Sequence, residues 1–188
     1  MTIDLDAMLL RRPVDEDAAD ALLLCTDPEV ARWNPVPDVV DLESALGWCR
    51  RPADGAEWAA HTWHAVDGGT GRLLAQCSVF GVEEEHALAG VGYRVAPWAR
   101  SQHVGRTVLG AVTRWAFAEL GLVRLELHHC VANEASCRVA TGAGYLLEGT
   151  PRSQYVDGDG VRQDCHLHGR LATDPDPTLP HPRMLRPA

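Results

Sequence analysis

The chain contains no lysine: its 17 basic residues are all arginine. That absence excludes each chemistry that depends on a lysine amine, including a Schiff base, a pyridoxal site and a Walker-type phosphate loop. It also fits a GC-rich genome, because arginine codons are richer in G and C than lysine codons. Long hydrophobic runs are missing too. No apolar stretch approaches the roughly 20 residues that span a bilayer, so no transmembrane helix is expected. Residues 1–6 lack a basic region followed by an apolar one, so no secretory signal is expected. None of the six cysteines forms a C-x-x-C pair, and they read as reduced thiols of a cytoplasmic protein. Nine histidines beside them raise the question of zinc. However, His128-His129-Cys130 is consecutive and His166-x-His168 stands alone. Neither has the spacing of a structural zinc site, and no metal is expected.

What is present points to one soluble domain. A length of 188 residues, 46% of them hydrophobic and 23% charged, suffices for one sizeable core and is short for two. The net charge of -9 argues against nucleic acid or an anionic membrane as a partner. Residues 1–60 hold 13 acids and 5 arginines, a net of -8, whereas the remainder is close to neutral. This acidity reads either as solvated helix faces or as a mouth that attracts a cationic substrate. Residues 172–188 hold five prolines and little to bury, and an extended or disordered tail is expected there. The domain is therefore placed at residues 1–171, with no internal repeat.

Periodicity alternates along that domain. A strand is expected from Leu5 to Arg12. Helices follow from Asp15 to Cys25, from Pro28 after Asp27, and from Asp41 to Arg50. His61–Val66, Arg72–Val82 and His86–Ala96 read as strands. Val104, Val108, Ala111, Val112, Trp115, Ala116 and Leu120 recur at helical spacing, with Gly121 as the stop. Val123–Val131 reads as a strand and Glu134–Ala140 as a helix started by Asn133. Tyr145–Leu147 begins the final strands. Asp157-Gly158-Asp159-Gly160 joins Ser153–Val156 to Val161–Leu171 as a hairpin. The order implies a mixed α/β fold around one sheet.

The chemistry is concentrated in Gly92-Tyr93-Arg94-Val95-Ala96-Pro97-Trp98-Ala99-Arg100-Ser101-Gln102-His103-Val104-Gly105-Arg106-Thr107. A strand ends, a polar loop turns and the strong helix begins. The unpaired N–H groups and the dipole at such a helix start form an anion site, and pyrophosphate is a natural occupant. Arg100 and Arg106 add positive charge beside it.

Asp27-Pro28-Glu29-Val30 precedes this segment. Asn133-Glu134-Ala135-Ser136-Cys137-Arg138-Val139, Gly142-Ala143-Gly144-Tyr145 and Leu147-Glu148-Gly149-Thr150 follow it. In this order the motifs resemble the GNAT superfamily of acyl-CoA-dependent N-acyltransferases, in its RimJ/RimL-like branch, from about Leu5 to Leu171. The resemblance implies a mostly antiparallel central sheet with flanking helices and one splayed parallel strand pair. Acyl-CoA, most often acetyl-CoA, wedges into that gap. It implies that Arg100, Ser101, Gln102, His103, Val104 and Gly105, continued by Arg106 and Thr107, cradle the pyrophosphate. Val95 would pair with the pantetheine arm, Asn133 would bond it, and Ser136 would protonate the departing thiolate. It also implies Trp33, Gln154 and Tyr155 around the acceptor, and a homodimer.

The pattern departs from the family at several points. Two loop glycines are replaced by Ser101 and His103, and replacement is strained if those positions need positive φ. His103 either reaches a phosphate or is a tolerated surface residue. The strand glutamate of relatives with A-E-I-G-Y is absent from Ala89-Gly90-Val91-Gly92-Tyr93, and Ala140 stands where many members carry a tyrosine. No inherited general base is visible. Water relayed to His128, Glu126 or His64 is one route for the proton; His128 and Glu126 share a strand face. A lysine amine is only about 0.1% neutral at pH 7.5, whereas an α-amine is about a quarter neutral. A missing base therefore favours α-amines or low-pKa amino sugars. Trp33, Trp48, Trp58 and Trp63 cluster early, and core packing is the default reading for most of them. Two other readings stand beside the transferase: a non-catalytic acyl-CoA-binding module, and a His/Cys metal hydrolase.

Overall fold

The computed structural model describes residues 2–5, 7–36, 38–51 and 61–179, together with the backbone of 183–185. Trp58 lies outside these residues. The strand expected from Leu5 to Arg12 is present as β2 (Met8–Arg11), and a further strand that was not expected, β1 (Thr2–Asp4), precedes it as the other arm of a hairpin. The Leu5 N–H donates to the Met8 carbonyl at 2.9 Å. That bond turns the chain, so Ile3 pairs with Leu10.

The helices begin where cap chemistry dictates. A 3-10 turn, Asp15–Asp17, runs into α1 (Ala18–Cys25). The Asp27 carboxylate accepts the Val30 N–H at 3.2 Å and Pro28 opens α2 (Pro28–Trp33). Asp41 and Ser44 cap α3 (Leu42–Cys49) reciprocally. β3 (His61–Asp67), β4 (Leu73–Glu83) and β5 (Leu88–Val95) form a meander. Then come α4 (Val104–Glu119), β6 (Arg124–Cys130), α5 (Glu134–Gly142) and β7 (Leu146–Gly149). β8 (Tyr155–Val156), β9 (Arg162–Gln163), β10 (Cys165–Leu171) and β11 (Arg183–Leu185) complete the chain.

The main sheet runs β11-β1-β2-β3-β4-β5-β6-β10-β7. Among the described residues its one parallel pair is β5–β6. Helices cover both faces, as neighbouring residues of β3 show. Trp63 packs against Trp115 of α4, with ring centroids 5.1 Å apart. His64, pointing the other way, meets Trp48 of α3 at 5.6 Å. Trp63 and Tyr145 are fully buried, and the Tyr145 hydroxyl is satisfied by Thr113 Oγ1 at 2.6 Å. No helix among the described residues is long and apolar enough to cross a membrane.

Two expectations change. The closing hairpin divides, because only β8 and β9 pair as a short ribbon while β10 enters the main sheet between β6 and β7. The buried Asp157 carboxylate accepts the Asp159 and Val161 N–H groups and the Gln163 amide, which closes the ribbon tightly. The tail also has more to bury than its composition implies. Leu179 is buried against Gly110, and Asp176 pairs with the buried Arg170 at 2.8 Å and with Arg114 at 3.1 Å. Beyond it, the backbone of β11 pairs with β1.

Gly158 docks the β8–β9 ribbon on α2. Its N–H donates to the Arg32 carbonyl at 2.8 Å, and an added Cβ would run into the Ala31 carbonyl oxygen. Gly158→Ala is expected to cost about 1–3 kcal/mol. It should also loosen the ribbon, read as lower denaturant midpoint and faster amide exchange at Tyr155 and Val156. Unchanged stability and exchange would show that the ribbon does not depend on this contact.

Candidate active site

The site begins where β5 and β6 separate. They pair at Leu88–Arg124, Ala89–Leu125 and Gly90–Glu126 and at no later register. β5 stays on β4 as far as Val95–Ala75, and β6 stays on β10 as far as Cys130–Cys165. The gap opens into a cleft of about 1670 Å³, larger than the ~300–1,000 Å³ of an ordinary single-ligand pocket. The Ala96 N–H donates to Leu74 on the β4 side. Successive residues of a strand address opposite edges, so Tyr93 and Val95 turn their backbone groups towards the cleft. Asn34 Nδ2 donates to the Tyr93 carbonyl at 3.3 Å, and Val95 lines the cleft.

At one end of the cleft lies the loop before α4. Ser101 and His103 both have φ of 61°, so the strained replacements expected from sequence are present at both positions. No side chain caps α4. Ser101, His103, Val104, Gly105 and Arg106 line the cleft, and left-handed residues in such a turn gather N–H groups into an anion-binding concavity. Gly105 permits close approach: an added Cβ would sit 3.1 Å from Val95 Cγ2 and 3.4 Å from Val139 Cγ2. Thr107 is buried in the helix, and Gln102 is exposed, its Nε2 bonded to the Trp98 carbonyl at 2.9 Å. Arg100, expected to supply free charge, is instead ion-paired to Asp27, the cap of α2. This pair ties the Asp-Pro-Glu-Val motif to the loop. Arg106 has no acidic partner among the described residues, and its Nε is buried without a hydrogen bond.

Across the cleft stands the start of α5. Asn133 Oδ1 accepts the Ser136 N–H at 3.1 Å, which leaves the Asn133 Nδ2 hydrogens available as donors. Ser136 Oγ lies 3.0 Å from the Tyr93 hydroxyl. Burial pushes the Tyr93 phenol above its ordinary value, against the lowering effect of Ser136, and keeps it protonated. Sequence reading placed Tyr93 on the strand without seeing this partnership, because 43 residues separate the pair.

The opposite sheet face carries a row set by register: His64 opposite Gln76, and Gln76 opposite Arg94. Arg94 Nη1 donates to Gln76 Oε1 at 2.8 Å and Nη2 to Asn34 Oδ1 at 2.8 Å. It thereby anchors the end of α2, and with it Trp33, over the cleft. His64 is fully buried, and its Nδ1 lies 2.7 Å from Asp17 Oδ2. Asp17 also accepts two hydrogen bonds from Arg11, at 2.7 and 2.8 Å. Burial alone would raise the Asp17 pKa; the hydrogen bonds from Arg11, His64 and the Val14 N–H outweigh it and hold it below the carboxylate range. Burial pushes His64 down, against the raising effect of Asp17. His64 Nε2 has no hydrogen-bond partner, and the residue lines the cleft.

The other expected bases are placed differently. Glu126 is ion-paired to Arg124 at 2.8 Å, and the exposed His128 lies 3.7 Å from Glu126. Both line the cleft. Gly90, at the position of the missing strand glutamate, is covered by Phe80: an added Cβ would meet that ring at 2.6 Å. Trp33, Gln154 and Tyr155 also line the cleft, and the Arg32 guanidinium sits 4.4 Å from the Trp33 ring centre. Register also gathers His129, His166 and His168 with Cys137, residues that lie apart in the chain.

Comparison with known proteins agrees with this geometry. Residues 7–146 match the Acetyltransferase (GNAT) domain family. The chain is 26% identical, over 88% of its length and 94% of the relative's, to a Bacillus subtilis protein described as an uncharacterized N-acetyltransferase, YoaA. Its fold matches a ribosomal-protein-S5-alanine acetyltransferase from Vibrio fischeri with a TM-score of 0.78, at 18% identity, covering 93% of this chain and 98% of that one. It also matches spermidine N-acetyltransferase from Vibrio cholerae, solved with CoA and spermine, with a TM-score of 0.75, at 16% identity, covering 89% and 97%. A splayed parallel pair, an anion-ready loop and a family match over most of the domain lead to one conclusion: the chain belongs to the GNAT acetyltransferases, enzymes that carry an acetyl group from acetyl-CoA to an amine.

Proposed function

We propose that the acceptor is a primary amine of low pKa, either a protein N-terminal α-amine or an amino-bearing small molecule. The parting of β5 from β6 beside an uncapped helix start carries the acyl-CoA part of this reading, and Gly90, where the family resemblance places a carboxylate, supports the low pKa of the amine. In this reading the loop amides and Arg106 take the pyrophosphate. The Val95 N–H and the Asn133 amide hold the pantetheine arm. The amine nitrogen attacks the thioester carbonyl, the C–S bond breaks, and the Ser136 hydroxyl, backed by Tyr93, protonates the departing thiolate. Positioning supplies much of the acceleration. Trp33, Tyr155 and Gln154 wall the acceptor. A cytoplasmic homodimer belongs to the same reading, carried by family resemblance alone.

His64 is the best-placed proton acceptor. Asp17 orients the ring through Nδ1 and leaves Nε2 without a partner, the arrangement in which a carboxylate sets the tautomer of a base. Two strand spacings, about 10 Å, separate His64 from β5. The proton therefore travels over water, or the acceptor lies along the His64–Gln76–Arg94 row. Glu126 and His128 remain on the other wall as the alternative pair.

Three outcomes test this. First, acetyl-CoA at 100 times its dissociation constant should raise the melting temperature by about 5–10 °C, and an amine screen should then release free thiol. Binding without thiol release for any amine would favour the non-catalytic module. No shift with acetyl-CoA, succinyl-CoA or CoA would overturn the reading.

Second, because burial holds the His64 pKa below its ordinary value, the wild-type rate should fall as pH drops through that lowered pKa. His64→Gln should remove this limb and lower kcat by about 10²-fold or more. Lower stability with an unchanged pH profile would assign His64 a structural role only.

Third, relief of left-handed strain against the entropy cost of glycine predicts that Ser101→Gly and His103→Gly each stabilise the protein by about 0.5–1 kcal/mol. Denaturant unfolding reads this directly. A loss of stability in both would show that the side chains contribute more than the strain costs.

A further inference from the structure

Spacing along the chain leads to no expectation of a metal, because neither His128-His129-Cys130 nor His166-x-His168 is spaced as a structural zinc site. The sheet register changes that. β6 and β10 are antiparallel with His166 opposite His129, and His168 lies two residues further along the same face. α5 lays Cys137 against them. One donor atom from each of His129, Cys137, His166 and His168 falls within 4.8 Å of the other three.

We propose that these four side chains form a closed site for a divalent, borderline-soft transition metal of the zinc class. Distance is the first ground. With Zn–N of about 2.0–2.1 Å and Zn–S of about 2.3 Å, a tetrahedron has N···N edges near 3.3 Å and N···S edges near 3.6 Å. His129 Nε2 and His168 Nε2 are 3.2 Å apart, and Cys137 Sγ lies 3.8 Å from His168 Nε2. Orientation is the second ground. His129 Nδ1 lies 2.8 Å from the Cys130 carbonyl oxygen, which only accepts. Nδ1 therefore carries the hydrogen, and a bare Nε2 lone pair faces the other ligands. Metal-bound histidines are held by a backbone carbonyl in this way.

A purely hydrogen-bonded cluster accounts for less. An imidazole–imidazole bond satisfies one pair, yet His166 Nδ1 is buried without a partner. Three imidazoles and a thiolate suit zinc-class ions and not magnesium or calcium. Four protein ligands leave no open position, so the site is structural. Its placement gives it a consequence. Cys137 directly follows Ser136 in the first turn of α5, which Asn133 caps. A bound metal ties that turn, with both residues of the acyl-CoA wall, to β6 and β10.

The test uses full-length, reduced, tag-free protein, since a histidine tag binds the same ions. Elemental analysis after dialysis against equimolar zinc should give one zinc per chain, and a chelator should lower the melting temperature. Cobalt in place of zinc should produce tetrahedral d–d bands and a thiolate-to-cobalt charge-transfer band. Cys137→Ser should abolish the charge-transfer band. His168→Ala should weaken affinity by more than the roughly 100-fold that even an outer partner can cost. His86→Ala, at an exposed histidine outside the cluster, should change neither. Substoichiometric zinc in folded wild-type protein would overturn the proposal. So would a cobalt thiolate band that persists in Cys137→Ser. Both of these results come from wild-type protein or from a conservative variant, so misfolding of His168→Ala leaves the test intact.

Discussion

A β-sheet is held by paired edges, and an unpaired edge in its middle needs a reason to persist. β5 and β6 bond for three residue pairs and then diverge, each retaining its outer neighbour. Everything in the candidate site follows from that separation. It exposes the odd-numbered backbone groups of β5, Tyr93 and Val95 among them, towards the cleft. It lets Ser136 on α5 meet the Tyr93 hydroxyl through the gap. It also joins the two faces of the sheet, so that a donor bound on the α4 side can meet an acceptor on the α2–α3 side.

Small residues keep the gap usable. Gly105 brings α4 against Val95 and Val139, and Gly90 lets the Phe80 ring lie over β5. The same packing explains the missing strand carboxylate: a side chain at residue 90 has no room while Phe80 is there. Along the sheet, the buried Asp17–His64 pair holds a ring nitrogen without a hydrogen-bond partner. At the loop, two left-handed side chains stand where glycine is free of strain. Such strain persists at functional sites when its surroundings hold the backbone in place. Here the Arg100–Asp27 pair provides part of that restraint from outside the loop.

Legibility in the sequence tracks the range of the interaction responsible. Asp41, Asp27-Pro28 and Asn133 act within one helical turn, so α3, α2 and α5 could be placed from local chemistry. The β3–β4–β5 meander and α4 followed from period and stop signals. The strand β1 before Leu5 was not read at all, and the β8–β9 ribbon, docked on α2 through Gly158, is shorter than the hairpin whose turn residues were read correctly. The Gly158 contact has no local signature. The same holds at the site. The loop and Ser136 were visible as motifs. The partnerships of Asp17 with His64, Tyr93 with Ser136, and Arg100 with Asp27 span 47, 43 and 73 residues, and only the folded sheet reveals them. Arg100 is the instructive case: its charge was read from the sequence, and its pairing with Asp27 shows only in the fold.

In the proposed reading the gap between β5 and β6, with the loop before α4, receives the acyl-CoA. Hydrogen–deuterium exchange with and without acetyl-CoA tests it most directly. Added protection is expected to concentrate in residues 91–95 and 100–107 and at the start of α5, with the outer strands β1 and β2 unchanged. Saturating acetyl-CoA that leaves the exchange of residues 91–107 unaltered would contradict it.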